Sequence, residues 1–161
     1  MQLLIDGNNL LHASDVFPAG TDRSEYAAQQ ALVTALEAGL SKSEARQTVI
    51  VFDGRGAEER FPSDGIRVQH PRRGQEADDV IEQLLAQAAE PKRVLVVSSD
   101  HRVQRAARQV GASPIDSEVY WQQWKRARQK SPASPGSDAD DKPAIPGENE
   151  VEQWLKMFGQ Q

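Results

Sequence analysis

Hydrophobic and polar positions fall into two alternating kinds of block. Short, nearly unbroken apolar runs occur at 2–6 (QLLID), 48–52 (TVIVF) and 93–97 (RVLVV), and two briefer mixed stretches stand at 66–69 (IRVQ) and 112–115 (ASPI). All five are too brief for helices and predict strands; TVIVF, β-branched and without in–out alternation, predicts a strand covered on both faces. The longer stretches between them carry apolar residues every three to four positions, which predicts helices over 24–40, 76–88, 101–110 and 117–130. Tyr26, Ala27, Ala31, Leu32, Ala35, Leu36 and Leu40 would share one face of the first. Ala77, Ile81, Leu84, Leu85 and Ala88 do so in the second, and Val103, Ala106, Ala107 and Val110 in the third, which Gly111 stops. Val119, Tyr120, Trp121 and Trp124 mark the fourth. Strands alternating with helices predict an α/β fold, a parallel sheet with helices on both faces joined by right-handed crossovers.

The pattern fails after residue 130. Residues 131–149, SPASPGSDADDKPAIPGEN, combine proline, serine, glycine and acids with almost no apolar content, the composition of a flexible linker. Periodicity then returns: Val151, Trp154, Leu155 and Phe158 stand at i, i+3, i+4 and i+7, which predicts a short amphipathic helix over 150–161. A helix that short is marginal alone. It is therefore expected to dock, either in cis on its own domain or on a protein partner. The chain of 161 residues is thus expected to hold one folded domain over 1–130, a linker over 131–149 and a docking helix.

Asp6, Asp53 and Asp100 each stand at or just beyond the end of an apolar run. A further acidic group opens the second helix, GQEADDVIEQLL, where Asp78 and Asp79 lie off the apolar stripe. Acids in a first turn complement the helix dipole at about 0.3–1 kcal/mol each, and that reading suffices for the helix start alone. The strand-end acids change it. A parallel sheet places its ligand crevice at the carboxyl ends of its strands, and a helix that follows a strand opens at the same edge. Carboxylates gathered within a few ångströms raise one another's pKa, a conflict that a divalent cation removes. Oxygen ligands without histidine or cysteine favour Mg²⁺ or Mn²⁺ retaining several waters. Such an ion activates water and neutralises charge on a phosphate oxygen, so phosphodiester hydrolysis fits these residues.

Charge qualifies this picture without reversing it. The net charge is −5, but residues 1–130 carry 17 Lys and Arg against 18 Asp and Glu, whereas residues 131–161 carry 2 against 6. The acidity belongs mostly to the tail. Arg55, Arg60, Arg67, Arg72 and Arg73 bracket the acidic helix start, either as a solvated, salt-bridged surface or as a set that grips phosphates. The chain has no cysteine, which excludes disulfides and thiolate chemistry and is compatible with a reducing cytoplasm. Its start, MQLLIDGNN, does not read as an export leader, and no apolar run approaches the roughly 18 residues of a membrane span. A soluble, cytoplasmic protein without a membrane partner is expected.

MQLLIDGNNLL, VIVFDGRG, GQEADDVIEQL and VLVVSSDHRVQRAA, in that order, resemble the NYN branch of the PIN-like nuclease superfamily, specifically the YacP-like bacterial endoribonucleases associated with ribosomes. The similarity covers about residues 1–128 and leaves the tail aside. It implies a PIN-like three-layer α/β/α sandwich around a five-stranded parallel sheet, with Mg²⁺- or Mn²⁺-dependent cleavage of RNA. It implies a metal-binding catalytic core of Asp6, Asp78 and Asp100, with Asn9, Asp79 and Asp53 in support. Arg55, Arg72 and Arg73 would then contact RNA, and the ribosome becomes an expected partner. Related NYN nucleases often carry another acid one helical turn past the Asp100 position; Gln104 stands there, which implies one well-held ion rather than two. The same departure motivates an alternative, a non-catalytic RNA- or ribosome-binding module that keeps the fold. A phosphatase with a strand-end Asp nucleophile is a third reading, opposed by Asn8 two residues after Asp6 and by the lack of a suitable lysine near Asp100.

Overall fold

The computed structural model describes residues 1–16, 25–54, 63 and 65–130. Arg55, Arg60 and the linker and terminal helix expected over 131–161 lie outside the described residues. In chain order the elements are β1 (Gln2–Asp6), α1 (Gly7–Ala13), α2 (Glu25–Gly39), α3 (Lys42–Arg46), β2 (Thr48–Val51), β3 (Arg67–Gln69), α4 (Ala77–Gln87), a 3-10 turn (Pro91–Arg93), β4 (Val94–Val97), α5 (His101–Val110), β5 (Ser113–Ile115) and α6 (Ser117–Lys130). The five strands form one parallel sheet in the order β3-β2-β1-β4-β5. Strand order therefore reverses between β1 and β4, the place where a sheet of this kind opens a crevice.

Strand pleating divides the core into two layers. Leu3 and Ile5 of β1 point to the side of Leu10, Leu32, Leu36, Tyr120 and Trp121, contributed by α1, α2 and α6. Leu4 points the other way, to Val80, Ile81 and Leu85 of α4 and Val103 and Ala107 of α5. Both faces of β2 and β4 are buried throughout, which explains their unbroken apolar runs. Burying each large aliphatic side chain contributes about 1.5–3 kcal/mol, so the sandwich holds the strand ends in fixed register.

Three local expectations need correction. The buried residues of α2 are Gln29, Leu32, Val33 and Leu36, whereas Tyr26, Ala27, Ala31 and Ala35 are only half-buried. The stripe was misphased because a buried glutamine, whose amide donates to Glu25 Oε1 at 3.5 Å, does not register as apolar. In α6 Val119 remains 40% exposed while Tyr120 and Trp121 turn inward. Helix α3 had no apolar periodicity to announce it. It is nucleated by a capping box: Glu44 N–H donates to Ser41 Oγ at 3.2 Å, and Ser41 N–H donates to Glu44 Oε2 at 2.7 Å.

Two glycines position the sheet edge. Gly7 opens α1 directly after β1, and a Cβ there would overlap the buried Phe52 ring. Gly111 ends α5 in the left-handed conformation at φ 86°, and Ala112 N–H then donates to Ala107 O at 2.9 Å. That turn feeds β5 into the sheet.

Candidate functional site

Asp6 ends β1 and caps α1, and its carboxylate is buried at the point of strand reversal. Its Oδ1 accepts Asn9 N–H at 3.4 Å, and its Oδ2 accepts the Ser98 hydroxyl at 2.9 Å. Ser98 follows β4 and is fully buried; its Oγ also accepts Asp100 N–H at 3.1 Å. One hydroxyl thus joins the acids at the ends of β1 and β4. Asp100 caps α5, its Oδ1 accepting the N–H groups of Arg102 at 2.7 Å and Val103 at 3.4 Å. One turn on, Gln104 donates from Nε2 to Ser98 O at 2.8 Å. A carboxylate there has no proton to give, so this amide performs a bracing role that an acid could not.

Asp53, two residues beyond β2, brings the second helix to the same edge. Its N–H donates to Asn8 Oδ1 at 3.2 Å, and its Oδ1 accepts Ala77 N–H at 3.0 Å, which anchors the first turn of α4. Asp78 follows immediately. Asn9 touches Asp6 through its backbone, whereas its side-chain oxygen accepts Ser99 N–H at 2.9 Å and the Ser117 hydroxyl at 2.7 Å. Ser117 N–H in turn donates to Ser99 Oγ at 3.1 Å. The amide therefore ties α1, the end of β4 and the start of α6 together.

The charges of this edge act on one another. Burial pushes the Asp6 carboxyl up from its ordinary value; Ser98 and Asn9 partly offset this, and Asp100 and Asp53 add to it. Asp78 is pushed up to about 6, by burial first and then by Asp100 and Asp6, with Arg102 opposing and Asp53 adding. Among the described residues no three acids or histidines stand together as a ready metal cage. Asp6 and Asp100 have oxygens engaged by protein donors, which fixes their directions without using every lone pair. An all-oxygen donor set whose members repel one another suits a hard cation held by one or two carboxylates and several waters.

Asp79 is not drawn into this group. Its Oδ2 accepts Glu76 N–H at 3.0 Å, and its Oδ1 meets Arg102 at 2.7 Å, contacts that hold its carboxyl below the usual range. Arg102 also pairs with Glu82 at 2.8 Å, linking α5 to α4. Arg72 and Arg73 are exposed in the connection that leads from β3 to α4, and so lie towards the acidic edge. Ser98, Ser99, Ser117 and Arg102 were missed in the sequence. A pair of serines between an apolar run and an acid was the available signal for the first two. Asp116, which closes β5 and accepts Glu118 N–H at 3.0 Å, is a further strand-end acid that was passed over; it is not among the charges acting on Asp6 or Asp78.

The family model described as YacP-like NYN domain matches residues 3–156. The chain belongs to the YacP-like NYN family. The YacP-like match runs beyond α6 into the tail, past the four motifs that carry the resemblance. The crystal structure of Rae1 (YacP) from Bacillus subtilis is similar at 19% identity and a TM-score of 0.64, covering 98% of this chain and 83% of that one. A single-residue mutant of the same protein gives 20% identity and a TM-score of 0.64, covering 81% and 79%. At such identity the likeness establishes the PIN-like fold. No curated protein gives a significant match. NYN domains are generally nucleases, and nucleases of the PIN and NYN groups usually use divalent metals. Among the described residues of this YacP-like chain, no helix is long and apolar enough to cross a membrane.

Proposed function

We propose that this protein is a metal-dependent endoribonuclease that hydrolyses RNA phosphodiester bonds, acting on mRNA in a ribosome-associated, cytoplasmic setting. What supports this reading is geometric: Ser98 ties Asp6 to the Asp100 backbone, and Asp53 anchors the helix turn that carries Asp78, so all four acids belong to one sheet edge, where burial and the neighbouring acids push the Asp78 carboxyl up. Asp6, Asp78 and Asp100 would hold Mg²⁺ or Mn²⁺, with Asp53 anchoring the helix that carries Asp78 and Asn9 fixing the first carboxylate through its N–H. Asp79 supports from outside by fastening α4 to Arg102. When bound, the ion would supply an activated water and charge neutralisation at the scissile phosphate. The exposed guanidiniums of Arg72 and Arg73, with Arg55 as a further candidate, would grip the RNA backbone.

The test uses a labelled RNA with Mg²⁺ or Mn²⁺. Asp78→Asn and Asp100→Asn should each lower cleavage by more than the roughly 100-fold that loss of an outer-shell contact costs at a metal site. Asparagine caps a helix as well as aspartate does, so Asp100→Asn should keep its melting temperature and separate chemistry from folding. Cleavage that persists in both variants, or in excess chelator, would remove the mechanism.

Gln104 favours a second reading. An amide braces Ser98 where related nucleases often carry an acid, so the chain would be an RNA- or ribosome-binding module with a weak acidic pocket. Calorimetric titration with Mn²⁺ separates the two, because a binding module needs no affinity for the ion.

A further inference from the structure

Helices α4 and α5 lie side by side on one face of the sheet, fastened near their starts by Arg102 against Asp79 and Glu82. Below that fastening a groove of about 410 Å³ runs between them, lined by the apolar Leu85, Ala86, Ala106 and Val110 and by Glu82 and Arg105. The two alanines leave space that a bulky apolar side chain from outside can fill.

We propose that the C-terminal segment 151–158 of the same chain folds back as a helix into this groove. Its sequence carries the complementary surface: Val151, Trp154, Leu155 and Phe158 at helical spacing, flanked by Glu148, Glu150, Glu152 and Lys156. Eight residues do not hold a helix unaided, so the apolar stripe needs a surface to form against. Charge sets the direction. Glu82 is level with Arg102, its ion-pair partner, and so stands about one turn before Arg105. A segment running antiparallel to α4 and α5 brings Glu152 opposite Arg105 and, one turn later, Lys156 opposite Glu82.

The tether permits this path. Twenty residues separate Lys130, the end of α6, from Val151; a coil of that length spans about 25 Å on average. A domain of this size has a radius of gyration of about 14 Å, so the segment reaches the opposite layer without straining the linker.

The chain has no cysteine, so an introduced pair reports one proximity alone. In the full-length protein, Gln109→Cys with Glu148→Cys should form an intramolecular disulfide about ten-fold faster than Val119→Cys with Glu148→Cys, in which the tether acts without docking. Adding Ala106→Arg, which fills the groove from its lining, should bring the first pair down to the rate of the second, with an unchanged far-ultraviolet circular dichroism spectrum. Arg105→Glu should slow the first pair, and Glu152→Arg added to it should restore the rate. Equal rates for the two pairs overturn the proposal, as does a disulfide that forms between chains, which would assign the groove to a second copy. Failure of Glu152→Arg to restore the rate overturns the antiparallel register. The measurement uses neither RNA nor metal, so it stands or falls apart from the nuclease reading.

Discussion

Asp78 shows what the acidic edge costs the fold. A carboxyl whose folded pKa lies above its ordinary 3.8 binds its proton more tightly in the folded chain. Its favourable contribution is complete below 3.8 and is lost as pH rises through about 6. With chelator present, Asp78→Asn should therefore melt at a higher temperature than the wild type near neutral pH. The gap should close by about pH 4 and shrink when Mn²⁺ is added, and melting curves that stay parallel across this range would contradict it. Asp6 and Asp100 carry a second duty as helix caps. Asp100→Ala should lose about 1 kcal/mol of stability that Asp100→Asn retains, as denaturant titration would show. Asp6, Asp53 and Asp100 were legible because each stands at or just beyond an apolar run, and Asp78 because it opens an amphipathic helix. The contacts of Ser98 and Gln104 were not, since a hydroxyl that serves acids 92 positions apart and two positions apart depends on strand register that no local pattern encodes.

At the scale of elements, continuous apolar runs located β1, β2 and β4 to within a residue or so, the short mixed stretches 66–69 and 112–115 located β3 and β5, and periodicity located α4, α5 and α6. Where polar residues entered the core or apolar periodicity was absent, the reading slipped: Gln29 shifted the face of α2, and α3 is visible only as the Ser41 and Glu44 cap. The junctions are testable. Gly111 holds a left-handed turn, so Gly111→Ala should cost about 1–2 kcal/mol, a fall of a few degrees in melting temperature, while leaving metal affinity unchanged. Docking of α6 relies on Asp15, which accepts Trp121 Nε1–H at 2.8 Å and pairs with Lys125 at 2.9 Å. Asp15→Ala should destabilise by about 1 kcal/mol, chiefly through the tryptophan bond, because the exposed ion pair is screened.

For the whole molecule, the order of strands and helices was enough to bring the strand-end acids to one sheet edge, because parallel connectivity leaves few ways to lay a sheet. The net charge misleads at this scale, since the tail carries most of the acidity while Arg72 and Arg73 stand towards the acidic edge. Replacing both by alanine should weaken RNA binding across sequences and reduce the slope of log affinity against log salt by about 2, with melting temperature unchanged. The tie between Asn9 and Ser117 also has a bearing on the birth of the protein. Position 9 leaves the ribosome early, yet its partner is made 108 residues later. A nascent chain therefore lacks the clasp over its first turn, and the acidic edge reaches its finished form only when synthesis of the domain is nearly over.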